Sequence, residues 1–304
     1  MRNQFASTLY ELGKDDPSIH VIVADISPAG SIGKFRKEFP KRFINVGVSE
    51  QIMIGLAAGL AQGGLKPFCY TIATFALYRT FEFVRNDLAY QSLPVTVVGI
   101  GGGVTYSTLG ATHHAMEDIS VAWSIPNLSI LAPCDPYETD IATKICAANK
   151  KGPIYLRLGK AGEPDFTSKA VAQPEFGKFR TLQSGFDTCV ISYGPIMKLA
   201  DKVCKALREQ GREPMLVSAF CLSPLDEDYI KTVLNTFKTV VVIEEMVSSI
   251  GLGTRIKAIA HDIGSPAKIK EFGLRHEFLH VYGTHDDVLT AHGLTFLNIM
   301  KALL

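Results

Sequence analysis

The stretch Asn45-Val46-Gly47-Val48-Ser49-Glu50-Gln51 places one carboxylate directly before an apolar run that extends from Ile52 to Ala61. Read as a helix, that run is apolar on every face and is expected to be buried. Glu50 then stands at the edge of an apolar interior, where a carboxylate must find a partner or take up a proton. The plainer reading is a helix capped by Ser49, with Glu50 favouring the positive end of its dipole. A second stretch, Gly101 to Asp118, carries three consecutive glycines and the pair His113-His114. Its glycines fit neither the GxGxxG nor the Walker pattern, so they do not by themselves indicate a phosphate loop. Ile72, Phe75 and Tyr78, spaced i, i+3, i+6, share one face of a helical turn, as core packing or as the wall of a pocket. Asp25 ends an apolar run, where it either approaches a ligand or caps a turn. Arg157 and Lys160 follow another such run; they suit a substrate phosphate or carboxylate, or are simply solvated cations.

These residues acquire a common location from the elements around them. Short apolar runs at residues 20–24, 43–46, 67–71, 95–100, 128–131 and 154–158 read as buried strands. They alternate with helical patterns at 5–12, 32–39, 50–62, 75–91, 115–123 and 137–148, with a loop holding Pro28 and Gly30 after the first strand. Strands that are continuous apolar runs, alternating with helices, predict an α/β fold whose parallel sheet is covered on both faces. Such sheets bind ligands beyond the carboxyl ends of their strands, which is where the candidate residues fall. From residue 159 to about 184 the periodicity fails, consistent with a linker. A second αβ series follows, with strands at 188–192, 214–218 and 239–243, helices at 196–209 and 226–234, and a helix after Gly251-Leu252-Gly253. No internal repeat or low-complexity tract is present.

A chain of 304 residues with 47% apolar and 20% charged residues has material for two cores. A net charge of +1 argues against nucleic acid or an acidic membrane surface as partner. The six cysteines show no CxxC pair or metal-like spacing and are expected to pack as small apolar residues in a reducing cytosol. The N-terminus has no apolar signal core and the 52–61 run is too short to span a bilayer, so a cytoplasmic location is expected. His276, His280, His285 and His292 lack metal spacing and read as ordinary residues; no metal ligand is expected on this chain.

The order Asn-Val-Gly-Val-Ser-Glu-Gln, a small-residue helix, Lys66-Pro67-Phe68 and an aromatic-bearing strand end resembles the pyrimidine-binding domain of transketolase-family thiamine-diphosphate enzymes. The resemblance implies that Glu50 hydrogen-bonds N1′ of the aminopyrimidine and so promotes proton loss at C2 of the thiazolium. It implies that Phe75 stacks on that ring, that Tyr78 and Ile72 wall the pocket, and that Asp25 lies near the cofactor. Where the family often has another aromatic, this chain has Ile72. Gly110-Ala111-Thr112-His113 is similar to the Gly-x-Thr-His turn of transketolases and deoxyxylulose-phosphate synthases, which makes His113 the residue facing the reacting carbon. His114 replaces a usual glutamine and Leu109 a usual aspartate that contacts a substrate hydroxyl. Glu244-Glu245-Met246 and Gly251-Leu252-Gly253 resemble the family's C-terminal domain, which builds dimers and holds no core catalytic group.

The implied organisation is a pyrimidine-binding domain over 1–162, a linker over 163–186 and a transketolase C-terminal domain over 187–304. No Gly-Asp-Gly motif for magnesium and diphosphate occurs in the chain. The resemblance therefore implies the C-terminal subunit of a split transketolase, transferring a two-carbon ketol unit between sugars or sugar derivatives. Its partner would be an N-terminal subunit supplying the diphosphate site and the Mg2+ ligands, in an α2β2 assembly. Two rivals remain. A 2-oxo acid dehydrogenase beta subunit shares the layout and the glutamate, though not the expected Gly-x-Thr-His turn; a non-catalytic αβ module would have no use for Glu50, Phe75 and His113 together.

Overall fold

The computed structural model describes residues 1–26, 31–160, 162–166 and 172–304. The loop with Pro28 and Gly30 lies outside them, as does part of the linker. The first half begins with α1 (Arg2–Asp15), β1 (Ile19–Val23), α2 (Ser31–Glu38), β2 (Phe43–Asn45), α3 (Glu50–Gln62) and β3 (Lys66–Ile72). It continues through α4 (Ala73–Leu77), α5 (Phe81–Phe83), β4 (Thr96–Ile100), α6 (Asp118–Trp123), β5 (Ser129–Leu131), α7 (Pro136–Ala148) and β6 (Ile154–Leu158). The second half opens with β7 (Arg180–Gln183), β8 (Thr188–Ser192), α8 (Met197–Glu209), β9 (Pro214–Ser218) and β10 (Cys221–Ser223). It ends with α9 (Glu227–Thr236), β11 (Thr239–Val247), α10 (Leu252–Asp262), β12 (Lys268–Leu274), α11 (His285–His292) and α12 (Phe296–Leu303).

Two mostly parallel sheets result, in the strand orders β10-β5-β6-β4-β3-β1-β2 and β12-β11-β8-β9-β7. β4, β6 and β8 are buried at every residue, as expected of mainly apolar strands in a sheet covered on both faces, and in β6 this includes Arg157. Each sheet departs from the all-parallel expectation at one edge, where β10 pairs antiparallel with β5 and β7 antiparallel with β9. β7 lies inside the expected linker, and β10 joins the sheet of the first half from the second. The halves share one cluster of buried apolar side chains, reaching from Met53 and Val97 to Val217 and Val242. All six cysteines are free and buried. Among the described residues no helix is long and apolar enough to cross a membrane.

Two helices differ from expectation. α3 buries Met53, Ile54, Ala57, Ala58 and Ala61, but Ile52 is 60% exposed, and a Cβ built at Gly55 or Gly59 would meet no described atom within 4 Å. A run apolar on every face therefore covers the sheet with one face only and leaves the other open. Ser49 precedes it without a side-chain cap bond. The helix expected over 75–91 breaks into α4, α5 and a π-helical turn at Val84–Ala89. The break falls at Thr80, whose backbone leaves the helical region and whose hydroxyl turns back to the Ala76 carbonyl.

The C-terminal elements also carry a titrating group. His292 is buried at the end of α11, its Nδ1 accepting the Arg275 N–H at 3.2 Å. Burial, with Arg275 second, pushes its pKa from 6.5 down to about 4. Between those values the unfolded chain binds a proton that the folded chain refuses, so this group makes stability fall as pH falls from 6.5 towards 4. Glu244, raised by burial to about 6, acts oppositely above 4.5. A His292→Asn variant is expected to lose less stability over that interval than the parent; urea midpoints measured against pH give the difference, in which Glu244 cancels. Parallel curves would remove His292 from the account.

Candidate active site

The carboxyl ends of β1, β2, β3, β4 and β6 form one rim, and the loops leaving it carry the candidate residues. Asn45 ties two of these strand ends: its Oδ1 accepts the Asp25 and Gly47 N–H groups, each at 3.0 Å. Asp25 itself is exposed and has a left-handed backbone, φ 49. It fits the turn reading at least as well as the ligand reading.

Glu50, the first residue of α3, is 1% exposed. Its surrounding is not simply apolar, because Arg79 Nη1 donates to its Oε2 at 2.6 Å. The Arg79 guanidinium carbon stands 4.4 Å from the centroid of the Phe75 ring. On the same ring, His113 packs edge-on, with centroids 5.3 Å apart and an interplanar angle of 70°. The structure thus brings Glu50, Phe75 and His113 to one place. Burial lowers the His113 pKa, which favours the neutral imidazole needed to accept a proton. Its Nδ1 lies 3.0 Å from Thr112 Oγ1.

The loop that carries His113 is shaped by two glycines. Gly110, at φ +78, is crowded by the Tyr282 ring, and Gly103, at φ +69, lies on the Glu245 side chain with no room for a Cβ. Gly103 and Ala115 form an antiparallel bridge that closes the loop. From the second half of the chain, Glu245 Oε1 accepts the Val104 N–H at 2.5 Å and lies 2.8 Å from His285 Nε2. His285 is therefore not an ordinary residue: although burial opposes it, the Glu245 contact raises its pKa.

Other candidates have their own partners. Ile72 ends β3 and packs against the buried cluster that includes Val23, Val98 and Ile100. Tyr78 donates to Glu117 Oε2 at 2.9 Å and accepts the Glu117 N–H at 3.1 Å, stapling α4 to the start of α6. The i, i+3, i+6 spacing puts only Phe75 and Tyr78 on the helical turn, because Ile72 is extended and precedes α4, whereas Tyr78 closes it with helical backbone. His114 is buried with an unpaired Nε2 and, with Thr74, Tyr78 and Phe278, lines a separate cavity. Leu109 is 48% exposed at the loop surface.

Arg157 corrects the expectation of a solvent-facing or substrate-facing cation. It is 2% exposed, its Nε donates to Asp118 Oδ2 at 2.8 Å, and its Nη2 reaches the Ala115 and Glu245 carbonyls at 3.3 and 3.2 Å. Burial lowers its pKa, but Asp118, with Tyr193 and Tyr155 beside it, raises it by more, so it is a fixed structural charge. Lys160 remains exposed, 5.0 Å above the Tyr106 ring, in a cleft shared with Thr105, Lys198 and His285. Cys134, Asp135 and Glu138 are close enough to share an ion, but Arg180 Nη1 already sits 3.1 Å from Glu138 Oε1.

The sequence reading missed Arg79, and it noted Glu245 only as part of the C-terminal domain, not as the support of the histidine loop. Arg79 follows Phe75 by four positions, the spacing at which side chains meet on a helix, and that signal was present. Two adjacent carboxylates inside an otherwise apolar strand were an equally visible sign.

Comparison with known families finds the description "Transketolase, pyrimidine binding domain" over residues 1–162 and "Transketolase, C-terminal domain" over 177–299. The chain is 31% identical to a subunit of the apulose-4-phosphate transketolase of Phocaeicola vulgatus, covering 100% of this chain and 96% of that protein. It is 34% identical to a putative transketolase C-terminal section of Methanocaldococcus jannaschii, with coverages of 100% and 95%. A solved structure described as a split gene transketolase, inactive beta4 tetramer, superposes with a TM-score of 0.85 at 30% identity, over 99% of this chain and 95% of that one.

Proposed function

Because the chain belongs to the transketolase family, with its pyrimidine-binding and C-terminal domains, we propose that it is the C-terminal subunit of a two-chain transketolase. Its reaction is the transfer of a two-carbon ketol unit between sugars or sugar derivatives. The observation that carries this reading is the meeting of Glu50, Phe75 and His113 beyond the strand ends. A buried carboxylate beside an aromatic ring face already holds a planar cation with N–H donors, the Arg79 guanidinium, so the pair suits the aminopyrimidine of thiamine diphosphate with its N1′ protonated.

Bound there, thiamine diphosphate supplies an electron sink for breaking and making the carbon–carbon bond. Glu50 exchanges a proton with the ring nitrogen and Phe75 supports the ring by stacking. His113 orients substrate oxygens or moves a proton at its neutral imidazole, and Lys160 offers a cation to a substrate phosphate. Leu109 and His114 are where substrate preference departs from the family pattern. The diphosphate and its Mg2+ fall to an N-terminal partner subunit, and the open apolar face of α3, with Ile52 at its centre, is consistent with an α2β2 complex. The relative from Phocaeicola vulgatus, itself named as one subunit of a transketolase, supports the two-chain arrangement.

The purified chain is expected to show no turnover with thiamine diphosphate, magnesium and a ketose–aldehyde pair, and to gain it on mixing with the partner. The assay is ketol transfer by the chain alone, the partner alone and the mixture. Turnover by the chain alone, or faster turnover of the mixture with a 2-oxo acid and an artificial electron acceptor, would overturn the reading.

A further inference from the structure

Arg79 makes both contacts that the proposed site offers to a ring. Its Nη1 donates to Glu50 Oε2 at 2.6 Å, and its guanidinium carbon lies 4.4 Å from the centroid of the Phe75 ring. We infer that Arg79 is an internal stand-in for the aminopyrimidine, seated on Phe75 and Glu50 until the cofactor displaces it. The inference rests on the function proposed above and adds to it a residue that sets how readily the site is filled.

Three features support the displacement. A guanidinium is planar, carries N–H donors in its plane and stacks on aromatic faces, so it matches in shape, and in the N–H it presents to Glu50, an aminopyrimidine whose N1′ carries the proton. Glu50 is 1% exposed, and a carboxylate so enclosed needs compensation whenever no ligand supplies it. Arg79 supplies it, and among the described residues has no other ion-pair partner. The arginine is also free to leave. Its side chain is 37% exposed, and it follows α4 just before the break at Thr80, so it can turn into solvent without moving the helix that carries Phe75.

A site that spends most of its time holding its own side chain binds an outside ligand more weakly, in proportion to the fraction of time it is open. Arg79 therefore lowers the affinity of the pyrimidine site for any ring that does not bring further contacts. Thiamine diphosphate brings them through its diphosphate, held on the partner subunit, whereas free thiamine and other flat heterocycles do not. Arg79 thus makes filling of the site depend on assembly.

The test is titration of the assembled two-chain enzyme with thiamine diphosphate in magnesium buffer, by calorimetry, for the parent and for Arg79→Met and Arg79→Lys. Methionine keeps the length and removes both charge and donors. It is expected to lower Kd roughly ten-fold, with lysine between, since an ammonium pairs with Glu50 but lacks the planar fork. In the cofactor-free complex Arg79→Met should also melt lower than the parent and gain more from added cofactor. An unchanged or weaker Kd in Arg79→Met would overturn the inference, since it would make Arg79 a bystander or a ligand. Absence of cofactor binding by the parent complex would instead remove the proposed function and this inference with it, so the two failures are told apart.

Discussion

Glu50→Gln, assayed in the assembled enzyme, is expected to lose roughly 100- to 10,000-fold in turnover, the usual worth of a positioned acid–base group. The amide keeps the size of the side chain and can still hydrogen-bond a ring nitrogen, but it cannot exchange a proton with it. The fold should survive. Glutamine leaves no enclosed charge to compensate, and its amide oxygen can still accept the Arg79 Nη1–H. The measurements are kcat for the variant complex and the thermal transition of the variant chain. Near-normal turnover would remove Glu50 from the chemistry; loss of the cooperative transition would show that its role is structural.

Asp118→Ala should have the largest effect on stability. Asp118 is fully buried at the start of α6, and its Oδ2 takes the Arg157 Nε–H and the Tyr155 hydroxyl, each at 2.8 Å. Removing one partner of a buried pair strands the other charge, at a cost of about 3–5 kcal/mol. That is a large fraction of the roughly 5–15 kcal/mol that holds a domain folded. The same change loosens the loop that bears His113, because Arg157 also holds the Ala115 and Glu245 carbonyls. Replacing both residues, as Asp118→Leu with Arg157→Met, should recover much of the loss by leaving no charge unpaired. Urea midpoints for the parent, the single variant and the double variant decide it; a single-variant loss below about 1 kcal/mol would mean that water reaches Arg157.

Much of the scaffold was legible in the order of residues alone. β6, β8 and β9 fall on the mainly apolar runs that marked them, and α3 runs from Glu50 to Gln62, where the pattern placed it. Apolar periodicity says which residues avoid water, and stops there. It could not say that one face of α3 is left open by this chain, because Ile52 and Ala57 look alike to it. Three-residue strands such as β10 carry too few residues to show a period, and β7 lies in a polar segment whose only signature is its partner β9. β12, α11 and α12 went unread because their segments are mixed in polarity and partly exposed. Of the site, the gathering of Glu50, Phe75 and His113 was anticipated from motif order. The pairing of Arg79 with Glu50, and of Glu245 with the histidine loop, joins positions far apart in the chain that only the fold brings together.

The strand contributed by Cys221–Ser223 also imposes an order on synthesis. As the polypeptide leaves the ribosome, β1 to β6 can assemble, but β5 then has β6 on one side and nothing on the other. An unpaired strand edge is a template for another chain, and its hazard is limited here because β5 is only three residues long. A chain that stops before residue 221 never closes that edge, and it also lacks Glu245 under Gly103 and the carbonyl that receives Arg157. The nascent first half thus waits on the last part of the chain to be translated, and a truncated product would be left sticky at one rim with its histidine loop unsupported.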